Sequence, residues 1–157
     1  MTVDYASMVN LLTQQVVSHM QENAQVMSRM VEQGAEKISV DPSQLMQLQC
    51  DTFSRQAQLC SAMISALAEQ KPLPDVAQAD ADPRFADDAW HEQPVYSFLR
   101  QNYLLNAHML EQQLDAMDFG NAADAAHWRF YTRQLINAIA PSNFPWTNPD
   151  VLRDAVH

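Results

Sequence analysis

Apolar residues recur every three or four positions along most of this chain. Tyr5, Met8, Leu12, Val16, Met20, Ala24, Met27 and Val31 keep that spacing through residues 3–33, a stretch free of proline and glycine. A period near 3.6 puts them on one face, which predicts a long amphipathic helix. Asp41-Pro42 marks a second helix start, because an aspartate caps free backbone N–H groups and proline suits the first turn. Beyond it Met46, Cys50, Phe53, Ala57, Cys60, Ile64 and Leu67 alternate spacings of four and three. That alternation is the seam of a coiled coil or a helical hairpin, so it is either an internal core or a surface for another copy or partner. Gly34 and the segment EKISV leave a short connection between the two helices.

The rhythm stops between Gln70 and Arg84. KPLPDVAQADADPR has three prolines and almost no large apolar side chain, and its composition reads as a linker. A third helix is expected after Pro94, with Tyr96, Leu99, Tyr103, Ala107, Leu110, Leu114 and Met117 on one face and its end at Gly120. Asn121 followed by Asp124 resembles a capping box for a fourth helix carrying Trp128, Tyr131, Leu135 and Ala138, which Pro141 stops. The expected fold is all-α, two hairpins of long amphipathic helices joined by a Pro/Asp-rich linker. Residues 1–70 would form a helical hairpin or coiled-coil extension, 71–93 the linker and entry turn, and 94–157 a helical module. Only two glycines occur, which leaves few of the tight turns that β-rich or α/β folds need.

Charge narrows the partners. The net charge of −10 divides as −4 over residues 1–70 and −6 over 71–157, so neither half carries the basic footprint of a nucleic-acid binder. No apolar run approaches the roughly 20 residues of a transmembrane segment, and MTVDYASMVN lacks the basic start of a secretory signal. A cytoplasmic location is expected.

The candidate chemistry is sparse. Cys50 and Cys60, the only cysteines, are ten apart on one helix, about 15 Å at 1.5 Å per residue, too far to bridge. They are expected as buried or half-buried thiols. No G-x-S-x-G or G-x-C-x-G sequence exists, and two glycines cannot assemble a nucleophile elbow or a phosphate-cradling loop. The histidines at 19, 91, 108, 127 and 157 show no zinc spacing. His19 falls near the apolar stripe of the first helix, where it is expected as an interface histidine. No catalytic residue, cofactor or metal is nominated.

Residues 82–153 carry something more specific. DPRFADDAWHEQPVYSFLRQNYLL, then RFYTRQLINAIAPSNF, then TNPDVL occur in the order of the conserved N-terminal region of polyhydroxyalkanoate synthases, which this half of the chain resembles. Residues 1–70 show no comparable match. In that family the region precedes an α/β-hydrolase-type domain with a cysteine nucleophile in a lipase-like box, assisted by an aspartate and a histidine. Cys50 and Cys60 lie upstream and outside any such box, so neither inherits the nucleophile's role. Pro145 departs from the family pattern, which has an apolar residue such as leucine there.

The resemblance implies a non-catalytic module of a polyester-granule synthase, acting through homodimer formation, docking on the catalytic domain, or association with the polymer granule or phasin-type proteins. The chain is then expected to be part of a longer one whose reading frame continues past His157 into a G-x-C-x-G box. Trp90, Tyr96, Phe98, Tyr103, Trp128, Phe130, Phe144 and Trp146 are the expected docking or core anchors, because aromatics bring large apolar area at small entropic cost. Arg84, Arg100, Arg129 and Arg133 are expected to pair with acidic residues or to hold the PSNF turn. Pro141, Pro145 and Pro149 forbid helix continuity and direct Phe144 and Trp146 toward a common apolar surface. The alternative is a stand-alone, phasin-like helical protein coating polyester granules, for which the apolar stripe of residues 1–70 is suited. An independent acyltransferase would turn over hydroxybutyryl-CoA, and none is expected here.

Overall fold

A computed structural model describes residues 38–144 and 147–149, together with the helical positions 14, 18, 21, 22, 25, 28, 29 and 32. The apolar stripe expected from Tyr5 to Val31, His19, Gly34 and Trp146 lie outside the described residues. The elements run β1 (Ser39–Val40), α1 (Pro42–Glu69), a 3-10 turn (Pro83–Phe85), α2 (Ala89–Glu92), α3 (Pro94–Asp115), β2 (Met117–Asp118), α4 (Ala122–Ala138) and a second 3-10 turn (Pro141–Asn143). The described chain is thus predominantly helical.

The helix starts have the chemistry their sequences announce. The Asp41 carboxylate accepts from Ser43 N at 2.9 Å ahead of Pro42, and Asn121 Oδ1 accepts from Asp124 N at 2.8 Å. α1 ends on Gln70, held left-handed at φ 53°, while Lys71 N donates to Ala66 O at 3.0 Å. A residue without glycine's freedom occupies that cap. α3 stops at Asp115, short of the expected Gly120, because the chain next pairs as a strand: Val40 aligns with Met117 and Ser39 with Asp118, antiparallel. Since β1 leads into α1 and β2 follows α3, the start of α1 lies beside the end of α3, and the two helices run antiparallel.

α1 packs on the row one residue before the expected seam and leaves most of the seam outward, the second of the two placements expected for it. Gln56, Leu59, Met63 and Ala66 are its buried positions, with Leu45 and Thr52 half-buried above them. Each stands one place before a seam residue, so the packed row is rotated about 100° from the expected one. Met46, Phe53 and Ile64 are 64%, 65% and 63% exposed, and Cys50 and Cys60 are exposed rather than buried. α1 therefore carries two apolar rows, one packed on α3 and one facing outward.

The core runs through the segment read as a linker. One cluster joins Leu59 and Met63 of α1, Leu73 and Ala77 of the following segment, Phe85, Trp90, and Phe98, Leu99 and Tyr103 of α3. A second gathers Leu114, Met117, Phe119 and Trp128, with Ile38 and Val40 against it. α3 is buried on all sides from Ser97 to Tyr103, which places polar side chains in the interior. Gln101 is fully buried: its Oε1 accepts from Val76 N at 2.7 Å and Ala77 N at 3.1 Å, and its Nε2 donates to Pro74 O at 2.9 Å and Ser97 Oγ at 3.1 Å. One amide thus binds residues 74–77 to α3. Gln101→Leu strands the Ala77 N–H in the interior, at a cost of about 1–3 kcal/mol. Hydrogen exchange should show protection lost at Val76 and Ala77 with mid-α3 amides still protected; unchanged exchange at 76–77 would contradict the assignment.

Candidate interaction surface

Most of the expected aromatic anchors belong to the core. Trp90, Phe98 and Tyr103 are 1%, 2% and 1% exposed, and Trp128 is also buried. They form a chain of rings: Tyr96 meets Trp90 at 5.6 Å, Trp90 meets Phe85 edge-on at 4.9 Å, and Phe85 meets Tyr103 at 5.7 Å. Tyr96 and Phe144 are half-buried. Phe130 stands apart, 65% exposed on α4 beside the partly exposed Tyr131.

Arg84 closes one end of the ring chain. Its guanidinium lies over the Tyr103 ring at 5.3 Å and the Phe85 ring at 5.9 Å, grips Asp82 through NH2 at 2.6 Å, and reaches Asn137 Oδ1 at 3.1 Å. Asn137 O in turn accepts from Asn143 Nδ2 at 2.7 Å, and Tyr103 donates to Ile136 O at 2.9 Å. Arg84 thus ties residue 82 to the end of α4, whose carbonyl holds the PSNF turn. Thr147 Oγ1 on Pro141 O and Asn148 Nδ2 on Ser142 O complete that turn. Arg129 reaches Asp115 at 3.4 Å on the surface, where such a pair adds little. Arg100 is buried on α3, and its Nε has no hydrogen-bond partner among the described residues.

The Arg84 hydrogen bond holds the Asp82 carboxyl below its ordinary value, against an opposing effect of burial. A depressed folded pKa adds stability that is present above the ordinary carboxylate pKa and lost as pH falls through the folded one. Thermal melting of the parent chain should therefore fall more steeply below about pH 4 than that of Asp82→Asn. Parallel acid limbs would remove Asp82 from the account.

Two open clefts among the described residues assemble no nucleophile. A cleft of about 590 Å³ is walled by Arg55, Asp82, Arg84, Tyr103, His108 and Arg133, and another of about 410 Å³ by Asp75, Asp80, His91 and Arg100. Neither cysteine lines them. Among the described residues no group of three or more His, Cys, Asp or Glu is placed to hold a metal ion, and no helix is long and apolar enough to cross a membrane. Cys60 is exposed as a residue, but partial burial of its thiol pushes that thiol up, the opposite of nucleophile activation.

What the surface offers is the outward row of α1: Met46, Cys50, Phe53, Ala57, Cys60 and Ile64 on a helix whose other apolar row is locked into the core. The periodicity identified this row but not its direction. The pairing of Arg84 with an acidic residue was expected and is met two positions away at Asp82, whereas its reach to Asn137 and the Gln101 amide had no local signal, since each joins residues far apart in the chain.

Residues 81–157 match the family described as "Poly-beta-hydroxybutyrate polymerase (PhaC) N-terminus"; the match is to that non-catalytic region and not to the catalytic α/β-hydrolase-type domain. Among individual proteins, the chain is 30% identical over 130 residues to a poly(3-hydroxyalkanoate) polymerase of Methylorubrum extorquens, covering 83% of this chain and 22% of the relative. It is 35% identical over 119 residues to the polymerase subunit PhaC of Cupriavidus necator, covering 74% and 18%. The chain thus spans about a fifth of these relatives' length. An aligned stretch of 130 residues cannot fit into 157 without including α1, so similarity extends upstream of the motifs that first revealed it. No solved structure matches the chain.

Proposed function

We propose that the chain is a non-catalytic accessory module of a polyhydroxyalkanoate polymerase and acts by association. Its aromatic core and the Arg84 tie build a stable helical body, and α1 presents an apolar row to a partner. The carrying observation is that Met46, Phe53 and Ile64 face outward on a helix already anchored through Leu59, Met63 and Ala66. A row of large apolar side chains repeating at helical spacing is what a partner helix or groove takes up. The occupants in question are a second copy, the polymerase's catalytic domain, and the granule surface. Of the expected aromatic anchors, Phe130 is the one suited to a partner contact, and Trp90, Phe98 and Tyr103 serve by shaping the body.

The test adds purified chain to a separately produced catalytic region of the Methylorubrum extorquens relative. CoA release from hydroxybutyryl-CoA should rise or its lag shorten, and the chain alone should release none. Release by the chain alone, abolished by Cys50→Ala or Cys60→Ala, would contradict the reading, as would a catalytic region indifferent to the chain. A phasin-like role would instead appear as binding to polyester particles without any polymerase.

A further inference from the structure

The smaller cleft, of about 410 Å³, is built around a buried cation that lacks a counter-charge. Arg100 and Leu104, one helical turn apart on α3, form part of its wall together with Pro83, Phe85 and Ala86. Arg100 is 9% exposed, its Nε is sealed from solvent, and it makes no ion pair or hydrogen bond among the described residues. Taking a guanidinium out of water without a partner is costly, so an anion that reached it would find a donor already stripped of water. Nothing else in the wall competes for that role. Arg84 is committed to Asp82 at 2.6 Å, and His91 Nε2 lies 2.9 Å from Phe85 O, where a carbonyl that only accepts takes up its proton.

The rest of the wall selects among anions. Asp75 and Asp80 also line the cleft; Asp75 Oδ1 accepts from Gln78 N at 3.2 Å, and Asp80 has no hydrogen-bond or ion-pair partner among the described residues. A phosphate would bring up to two negative charges toward these carboxylates, with one guanidinium to hold them. A carboxylate brings a single charge and matches the guanidinium fork with two parallel hydrogen bonds. A ligand carrying its own O–H donor would also turn the Asp80 carboxylate from a repulsive neighbour into an acceptor. Phe85, Leu104 and the alanines at 79, 81 and 86 supply apolar wall for a short carbon chain. Carboxylate, nearby hydroxyl and short alkyl chain are together the groups of a hydroxyalkanoate, the unit named in the polymer of this chain's relatives. The volume is that of a small-molecule site.

We infer that the cleft walled by Arg100, Asp80 and Phe85 binds the carboxylate end of a hydroxyalkanoate, either the free hydroxyacid or the terminus of a short oligoester. This rests on the reading of the chain as a polymerase module and gives that module a ligand of its own. Arg100 holds the carboxylate, Asp80 accepts from the hydroxyl, and Phe85 and Leu104 flank the carbon chain. Binding makes and breaks no covalent bond.

Nitrogen NMR reads the guanidinium directly. The full chain, isotope-labelled, is titrated with 3-hydroxybutyrate, its linear trimer, butyrate, 3-aminobutyrate and inorganic phosphate, and the Arg100 Nε–H signal, assigned through its own side-chain carbons, is followed. It should shift saturably with 3-hydroxybutyrate or the trimer. Butyrate, which lacks the hydroxyl, should bind about threefold to tenfold more weakly. Arg100→Lys keeps the charge, loses the fork and should weaken binding about tenfold. Ala86→Phe fills the cleft from an exposed position, so it should melt like the parent and also bind about tenfold more weakly, which keeps the test alive if Arg100→Lys does not fold. Saturation by the monomer assigns the free hydroxyacid, and saturation by the trimer alone assigns the oligoester end. The site is overturned if neither shifts the signal saturably, or if Ala86→Phe leaves binding unchanged. The hydroxyalkanoate class is overturned if butyrate or phosphate binds as tightly as 3-hydroxybutyrate, or if 3-aminobutyrate binds more tightly. The titration contains no catalytic region, so it stands or falls separately from stimulation in trans.

Discussion

Replacing Trp90 with alanine should bring the chain close to unfolding. The indole is 1% exposed, edge-on to Phe85 at 4.9 Å and against Tyr96 at 5.6 Å, and it links the 3-10 turn, α2 and the start of α3. A four-residue helix such as Ala89–Glu92 has no stability of its own and holds its place through this side chain. Truncating a buried aromatic costs about 3–5 kcal/mol. That is a large part of the roughly 5–15 kcal/mol by which domains are stable. Urea denaturation followed by circular dichroism measures it. Phe130→Ala, at a 65% exposed site, should shift the same curve by no more than about 0.5 kcal/mol. Comparable losses from both would mean that the aromatic chain is not the centre of the body.

How far the sequence reached varies from element to element. Asp41-Pro42 and Asn121 with Asp124 placed two helix starts, because capping is a local hydrogen bond between residues two or three apart. The α3 row from Leu99 to Leu114 was legible because its apolar residues are also its buried ones. On α1 the same logic left open whether the seam was core or surface. Its packed row includes Thr52 and Gln56, which dilute the signal, while the outward row holds Phe53 and Ile64, which strengthen it. Periodicity reports a row's spacing and is silent on which of two neighbouring rows meets the core.

Residues 71–81 were obscured for another reason. Prolines and aspartates give them a linker's composition, and what holds them is Gln101, at least 24 positions away. The outward cysteines follow from the same one-residue rotation. A resemblance between separated motifs, confirmed by the family match over residues 81–157, carried the functional class further than any side-chain constellation. An association module needs surfaces, and a surface is legible only once the buried side of each helix is known.

Two adjacent residues on α1 test that division most directly. Met63 is 3% exposed in the core, and Ile64 is 63% exposed on the outward row. Met63→Glu places a carboxylate among Leu59, Ala66 and the α3 side chains, a loss of roughly 3 kcal/mol or more. Ile64→Glu places it in water on an isolated chain and in an apolar seam on an associated one. Thermal melting of both variants at high dilution separates the two faces. The account predicts that Met63→Glu melts far below the parent and that Ile64→Glu melts like the parent. An Ile64→Glu chain that unfolds while Met63→Glu stays intact would contradict it.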